Sequence, residues 1–126
     1  MSRDNLDFGK TGEKEAAKFL QSNGYRIICR NYKCSLGEVD IIAEDKDVIC
    51  FVEVKSRNSD KFGISKEALS KQKQKQISRT AVNFLKEKNL LDKKARFDVV
   101  ALDYFEGCAK TELIKDAFEL AGGYSY

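Results

Sequence analysis

The sequence predicts an α/β domain, a mixed central sheet flanked by helices in the order α-β-β-β-α-β, with room for a further short strand. Two observations carry that prediction. Three segments of strand-like, two-residue periodicity (25–32, 38–44 and 48–56) follow one another across short turns. They are bracketed by two segments of helical periodicity (10–22 and 66–88), and a fourth strand-like segment (96–104) comes after the second of these. Strands and helices interleaved in this way pack as one sheet with helices on its faces.

Residues 10–22 set Glu13, Ala16, Ala17 and Leu20 at helical spacing, and Asn23-Gly24 stops that helix because glycine readily adopts the left-handed cap conformation. Ser35-Leu36-Gly37 and Asp45-Lys46-Asp47 are the turns between the first three strands. The third strand opens on the longest apolar run of the chain, the five residues Val48–Val52, which is far too short to span a bilayer and suits a buried strand. In the second helix, Leu69, Ile77, Ala81, Phe84 and Leu85 form an apolar stripe. A short fifth strand is expected near residues 111–115.

A length of 126 residues fits a single domain, 1–126, that can bury a core without disulfides. There is no proline, no repeat and no linker-like tract, and the first residues lack the apolar core of a signal peptide, so a cytoplasmic protein is expected. Cys29, Cys34, Cys50 and Cys108 have no Cys-x-x-Cys spacing and are expected to be packed thiols. The chain has no histidine. That excludes Ser-His-Asp and Cys-His catalysis and histidine-based zinc hydrolases, and leaves carboxylates and lysines as the chemical groups. Carboxylates alone suit hard cations such as Mg²⁺ or Mn²⁺. Charge is uneven: residues 61–96 hold 11 Lys/Arg against 3 Asp/Glu, although the whole chain is only +3. Such a segment is either a solvated helix surface or a face for a polyanion.

The informative residues are those whose charge interrupts an apolar pattern. Glu53 and Lys55 lie near the end of the most hydrophobic strand and, by alternation, on one face of it. Taken alone, they read as a strand-end ion pair. In the second strand Glu38, Asp40 and Ile42 share one face and Val39, Ile41 and Ala43 the other, so Asp40 can lie beside Glu53 if the two strands are neighbours. Two adjacent carboxylates repel unless a positive charge lies between them, and a divalent cation together with Lys55 would supply it. Glu13 falls on the buried face of the first helix, where it can serve either the helix dipole or a site. Lys73 is in line with Leu69 and Ile77, flanked by Gln72 and Gln76, whereas Lys71, Lys75 and Arg79 fall on the solvent side. A lysine in Lys73's position can simply snorkel.

Asp40, then a dozen residues, then Glu53-x-Lys55, with a glutamate on the preceding helix, resembles the PD-(D/E)XK nuclease superfamily. Gly12-Glu13, Gly24-Tyr25, Arg30-Asn31-Tyr32, Gly37-Glu38-Val39-Asp40, Phe51 through Arg57, Lys73-Gln74 and Arg96-Phe97-Asp98-Val99 resemble more closely the YraN-type family of inferred endonucleases, which is similar to archaeal Holliday-junction resolvases. The resemblance runs from about residue 9 to residue 119. It implies a restriction-endonuclease-like fold, with Asp40, Glu53 and the Val54 carbonyl as ligands of Mg²⁺ or Mn²⁺. It implies Lys55 as the superfamily lysine and Glu13 as the helical acid that acts through water. Gly37-Glu38-Val39-Asp40 stands where the superfamily has Pro-Asp, which leaves the part of Glu38 open.

The implied activity is endonucleolytic hydrolysis of nucleic acid, DNA and branched DNA first, with Arg57, Lys71, Lys73, Lys75 and Arg79 on the phosphates. A homodimer would suit a two-strand substrate, and no membrane is involved. Two other readings stay open: a nucleic-acid-binding module on a nuclease fold that does not cut, and a protein-interaction subunit whose acidic cluster is structural.

Overall fold

A computed structural model describes residues 2–58, 69–105 and 107–120. Helix α1 spans Ser2–Ser22, and strands β1 (Arg26–Cys34), β2 (Gly37–Asp45) and β3 (Val48–Asn58) follow. Helix α2 spans Lys71–Glu87 and precedes strands β4 (Lys94–Phe105) and β5 (Cys108–Phe118). The five strands form one mixed sheet in sequence order. β1–β2, β2–β3 and β4–β5 are antiparallel, and β3–β4 is parallel. Parallel neighbours need a crossover, and α2 provides it.

The order agrees with the predicted one, and the differences lie at the ends of elements. α1 begins at Ser2 rather than at residue 10. α2 begins at Lys71 rather than at 66, because the Ser70 side chain caps it by accepting the Lys73 N–H at 3.1 Å. Residues 66–68 of the expected helix lie outside the described residues. The fifth strand is not short. It runs for 11 residues against β4. Its charges, Lys110, Glu112, Lys115 and Asp116, are those of an edge strand that discourages further pairing and mute its hydrophobic alternation. α1 stops where expected: Gly24 has φ +89° and the Tyr25 N–H returns to the Leu20 carbonyl at 3.0 Å.

The two helices cover opposite faces. α1 packs Ala16, Ala17 and Leu20 against Ile41, Ala43, Cys50, Val52, Val100 and Leu102. α2 packs Ile77, Ala81, Phe84 and Leu85 against Ile42, Ile49, Phe51, Phe97 and Val99. Phe84 centres the second core, edge-on to Tyr32 (5.1 Å between centroids) and Phe51 (5.9 Å). Odd-numbered residues of β3 therefore face α2 and even-numbered ones face α1. Glu53 and Lys55 thus lie on the α2 side. All four cysteines are free; Cys50 is packed as expected, its thiol pushed up to about 12 by burial, whereas Cys108 is exposed. Among the described residues no helix is long and apolar enough to cross a membrane.

Candidate active site

The site forms where β2 and β3 part. Their ladder runs from Asp45↔Val48 to Ile41↔Val52 and stops there. Continued, it would set Val39 opposite Val54. Instead the Val54 N–H donates to the Asp40 carboxylate at 2.8 Å, so a side chain takes the place of a ladder carbonyl.

The sequence pattern put Val39, Ile41 and Ala43 on one face, and the structure corrects this. Val39 packs with Ile42 on the α2 side, while Ile41 and Ala43 pack on the α1 side. Strict alternation fails at Asp40, which turns edgeways toward β3. In a strand a residue's N–H and C=O point to the same edge. The Val54 carbonyl therefore faces the same gap as the Asp40 carboxylate.

Glu53 meets Asp40 there. The two carboxyls act on each other, Glu53 lowering the proton affinity of Asp40 and Asp40 raising that of Glu53. Burial is the main cause of the shift at both: it raises Asp40 despite the Val54 N–H, and it joins the Asp40 charge in pushing Glu53 up to about 7. Lys73 from α2 approaches Glu53, Nζ to Oε2, at 3.9 Å, and its charge favours ionisation of both carboxyls. Lys55 acts in the same sense on Glu53. Asp40, Glu53, Lys55 and Lys73 therefore come together as one cluster of two acids and two bases.

Other expected residues fall elsewhere. Glu13 is on α1, the helix of the opposite face, and its ion pair is with Arg30 at 4.0 Å. Gly12 brings that part of α1 against β3: a Cβ at residue 12 would lie 2.5 Å from the Ser56 Oγ. Glu38 is exposed, and its charge raises Asp40. Lys71, Lys75 and Arg79 are exposed as expected. The Arg57 side chain lies outside the described residues. Among the described residues no three His, Cys, Asp or Glu side chains lie together, so the carboxylate pair is the oxygen-donor set at hand.

Two cavities lie along α2, one reaching Lys73 and the other Glu38. One of about 300 Å³ is lined by Ser70, Gln72, Lys73, Gln76 and Arg79. The other, also about 300 Å³, is lined by Lys33, Cys34, Gly37, Glu38 and Gln76. Gln76 belongs to both, so the two form a groove between α2 and the β1–β2 hairpin. Gly37 permits the close approach. A Cβ there would lie 2.6 Å from the Gln76 Cγ and 2.9 Å from the Thr80 Oγ1. The share of Lys33 and Gly37 in this groove has no sequence signal, since it depends on a hairpin meeting a helix some forty residues further along the chain.

Sequence reasoning also missed a polar cluster on the α1 face. Asp98 is fully buried and accepts from the Tyr25 OH (2.8 Å), the Arg96 Nε (2.9 Å) and the Asp116 N–H (2.9 Å). Arg96 reaches Asp45 as well, at 3.0 Å. The available signal was the parity of Arg96 and Asp98, two charges on one face on either side of an apolar residue in a hydrophobic strand.

The model of an uncharacterised protein family, UPF0102, matches residues 12–102. Among curated proteins, a UPF0102 protein of Syntrophus aciditrophicus is 54% identical over 94% of this chain and 94% of its own. One of Geotalea uraniireducens is 47% identical with the same coverage of both chains. One of Clostridium acetobutylicum is 44% identical over 95% of this chain and its whole length.

Proposed function

The chain belongs to the UPF0102 family, the YraN-type family that its motifs resemble, and on that premise we propose that it is a metal-dependent endonuclease that hydrolyses phosphodiester bonds of nucleic acid. The observation that carries the proposal is the Asp40–Glu53 pair, two half-buried carboxyls set together at the broken end of a ladder, with lysines from two elements beside them. A cap or a strand-end ion pair needs one carboxylate, and a second one at the same place raises the cost of ionising either. A hard divalent cation removes that cost, and the donors suit it: two carboxylates, with the Val54 carbonyl facing the same gap.

Mg²⁺ or Mn²⁺ held there by Asp40, Glu53 and the Val54 carbonyl would supply Lewis acidity toward a phosphoryl oxygen and ease deprotonation of a water. The protein's own groups do the rest. The Val54 N–H fixes the direction of the Asp40 carboxylate. Lys55, on the same face as Glu53, donates to the attacking water or to charge developing on the phosphoryl oxygens. Lys73 and Arg79 line the groove and hold the strand through its phosphates, with Lys71 and Lys75 exposed on the same helix, and Arg57 joins them on its sequence motif alone. Glu13, held by Arg30, is a candidate to act through water rather than by contact. DNA, branched DNA included, is the proposed substrate. A second copy would serve a second strand, and the setting is cytoplasmic.

The test is incubation of the protein with duplex, branched and single-stranded substrates in Mg²⁺, Mn²⁺ or excess chelator. Cleavage of at least one substrate that stops in chelator is expected. Binding that weakens steeply with salt but never leads to cleavage would instead assign the chain as a binding module. Neither binding nor cleavage would leave the acidic pair a structural feature.

A further inference from the structure

Lys73 touches both halves of the site described above. Its ammonium lies 3.9 Å from the Glu53 carboxylate, beyond hydrogen-bond distance, so the contact is one of charge alone. Its side chain is 34% exposed and that of Glu53 is 12% exposed, which sets the lysine on the solvent side of the acid. The same side chain lines the cavity shared with Ser70, Gln72, Gln76 and Arg79, a wall that among the described residues offers donors and no carboxylate. Its backbone is pinned, because the Lys73 N–H is bound to the Ser70 Oγ at the helix cap. Only the four-carbon stem is free to move. The first turn of α2 contains no acid that could compete for the ammonium once it left Glu53.

A divalent cation held by Asp40 and Glu53 would come to rest close to this ammonium, and two positive charges at such a separation repel. The stem can relieve that repulsion by swinging away from Glu53 into the cavity, where a phosphate of a bound strand would meet it. We propose that Lys73 is an exchangeable counter-ion: it neutralises Glu53 in the metal-free protein and, when a divalent cation takes over that role, turns into the adjoining cavity and binds a backbone phosphate of the nucleic acid. The inference rests on the metal-dependent reading above and adds a coupling between the two ligands. Metal binding frees a phosphate-binding group, so each ligand tightens the other, as linkage requires. Lys73 on this account binds substrate away from the reacting atoms, distinct from Lys55, which stays with them.

The experiment uses the full chain with Lys73→Met, which keeps the stem and removes the charge, and Lys73→Arg, which restores a charge. Mn²⁺ alone is titrated calorimetrically without nucleic acid, and a fluorescent blunt DNA duplex is titrated in chelator and in Ca²⁺. Lys73→Met is expected to bind Mn²⁺ about tenfold more tightly than wild type, because a competing charge has gone. It is also expected to lose most of the gain in duplex affinity that Ca²⁺ gives the wild type, and Lys73→Arg is expected to return both properties toward wild type. Unchanged or weaker Mn²⁺ affinity in Lys73→Met overturns the proposal while leaving the metal site standing. Failure of the wild type itself to bind Mn²⁺ overturns the metal-dependent reading and the exchange with it.

Discussion

Glu53→Ala and Lys55→Ala are each expected to lower metal-dependent cleavage by about 10²- to 10³-fold, the usual loss when one charged group is removed from a reacting centre. They differ in how they fail. Glu53→Ala removes one of two carboxylates and so takes metal affinity with it. Lys55→Ala leaves the donor pair intact and removes a competing charge, so it should bind metal at least as tightly as wild type and lose turnover. Neither loss comes from unfolding. Glu53 is an acid whose proton affinity the fold raises, so its removal relieves the protein of a poorly solvated charge above neutral pH. The comparison is made in one cleavage assay with matched Mn²⁺ titrations. Equal cleavage by wild type and both variants would trace the activity to a contaminant.

Asp98→Ala should have the largest effect on stability, about 3–5 kcal/mol, the cost of breaking a buried ion pair from one side. Asp98 is fully buried and holds Arg96, the Tyr25 hydroxyl and the Asp116 N–H at once. Its loss leaves Arg96 with Asp45, the Tyr25 hydroxyl and a thiol, the Cys50 Sγ at 3.3 Å. These groups join the start of β1, the β2–β3 turn, β4 and β5, so the damage is shared across the sheet rather than confined to one strand. Urea unfolding checks it through a fall in midpoint at unchanged slope. A midpoint within a few tenths of wild type, about 0.5 kcal/mol, would mean that the cluster is a passive one.

Much of the cluster was legible because it follows from periodicity. Glu53 and Lys55 share a face by strand alternation, and Lys73 falls in line with Leu69 and Ile77 by helical spacing. Periodicity says that a side chain faces the sheet, but not which side of the sheet its element covers. That is why Glu13, correctly read as inward-facing, sits on the face opposite Glu53. Alternation also assumes an unbroken ladder. At Asp40 the ladder breaks, and the pattern could not predict the direction of that residue. The polar network around Asp98 and the groove wall at Gly37 arise from residues far apart in the chain. Local pattern marks such residues as unusual without naming their partners.

The central claim is that Asp40 and Glu53 form a divalent-cation site, and Mn²⁺ titration of the metal-free protein, followed by thermal unfolding at pH 6 and pH 8, tests it most directly. Folding raises the proton affinity of Glu53 from 4.5 to about 7. The stability this group contributes is therefore complete below the lower value and is lost as pH climbs through the higher one. A cation that replaces the proton should restore that loss. The account predicts that Mn²⁺ raises the unfolding temperature of the wild type, more at pH 8 than at pH 6, and leaves Asp40→Asn unmoved, although the Asn amide oxygen can still accept the Val54 N–H. An equal rise in Asp40→Asn, or none in the wild type at pH 8, would contradict it.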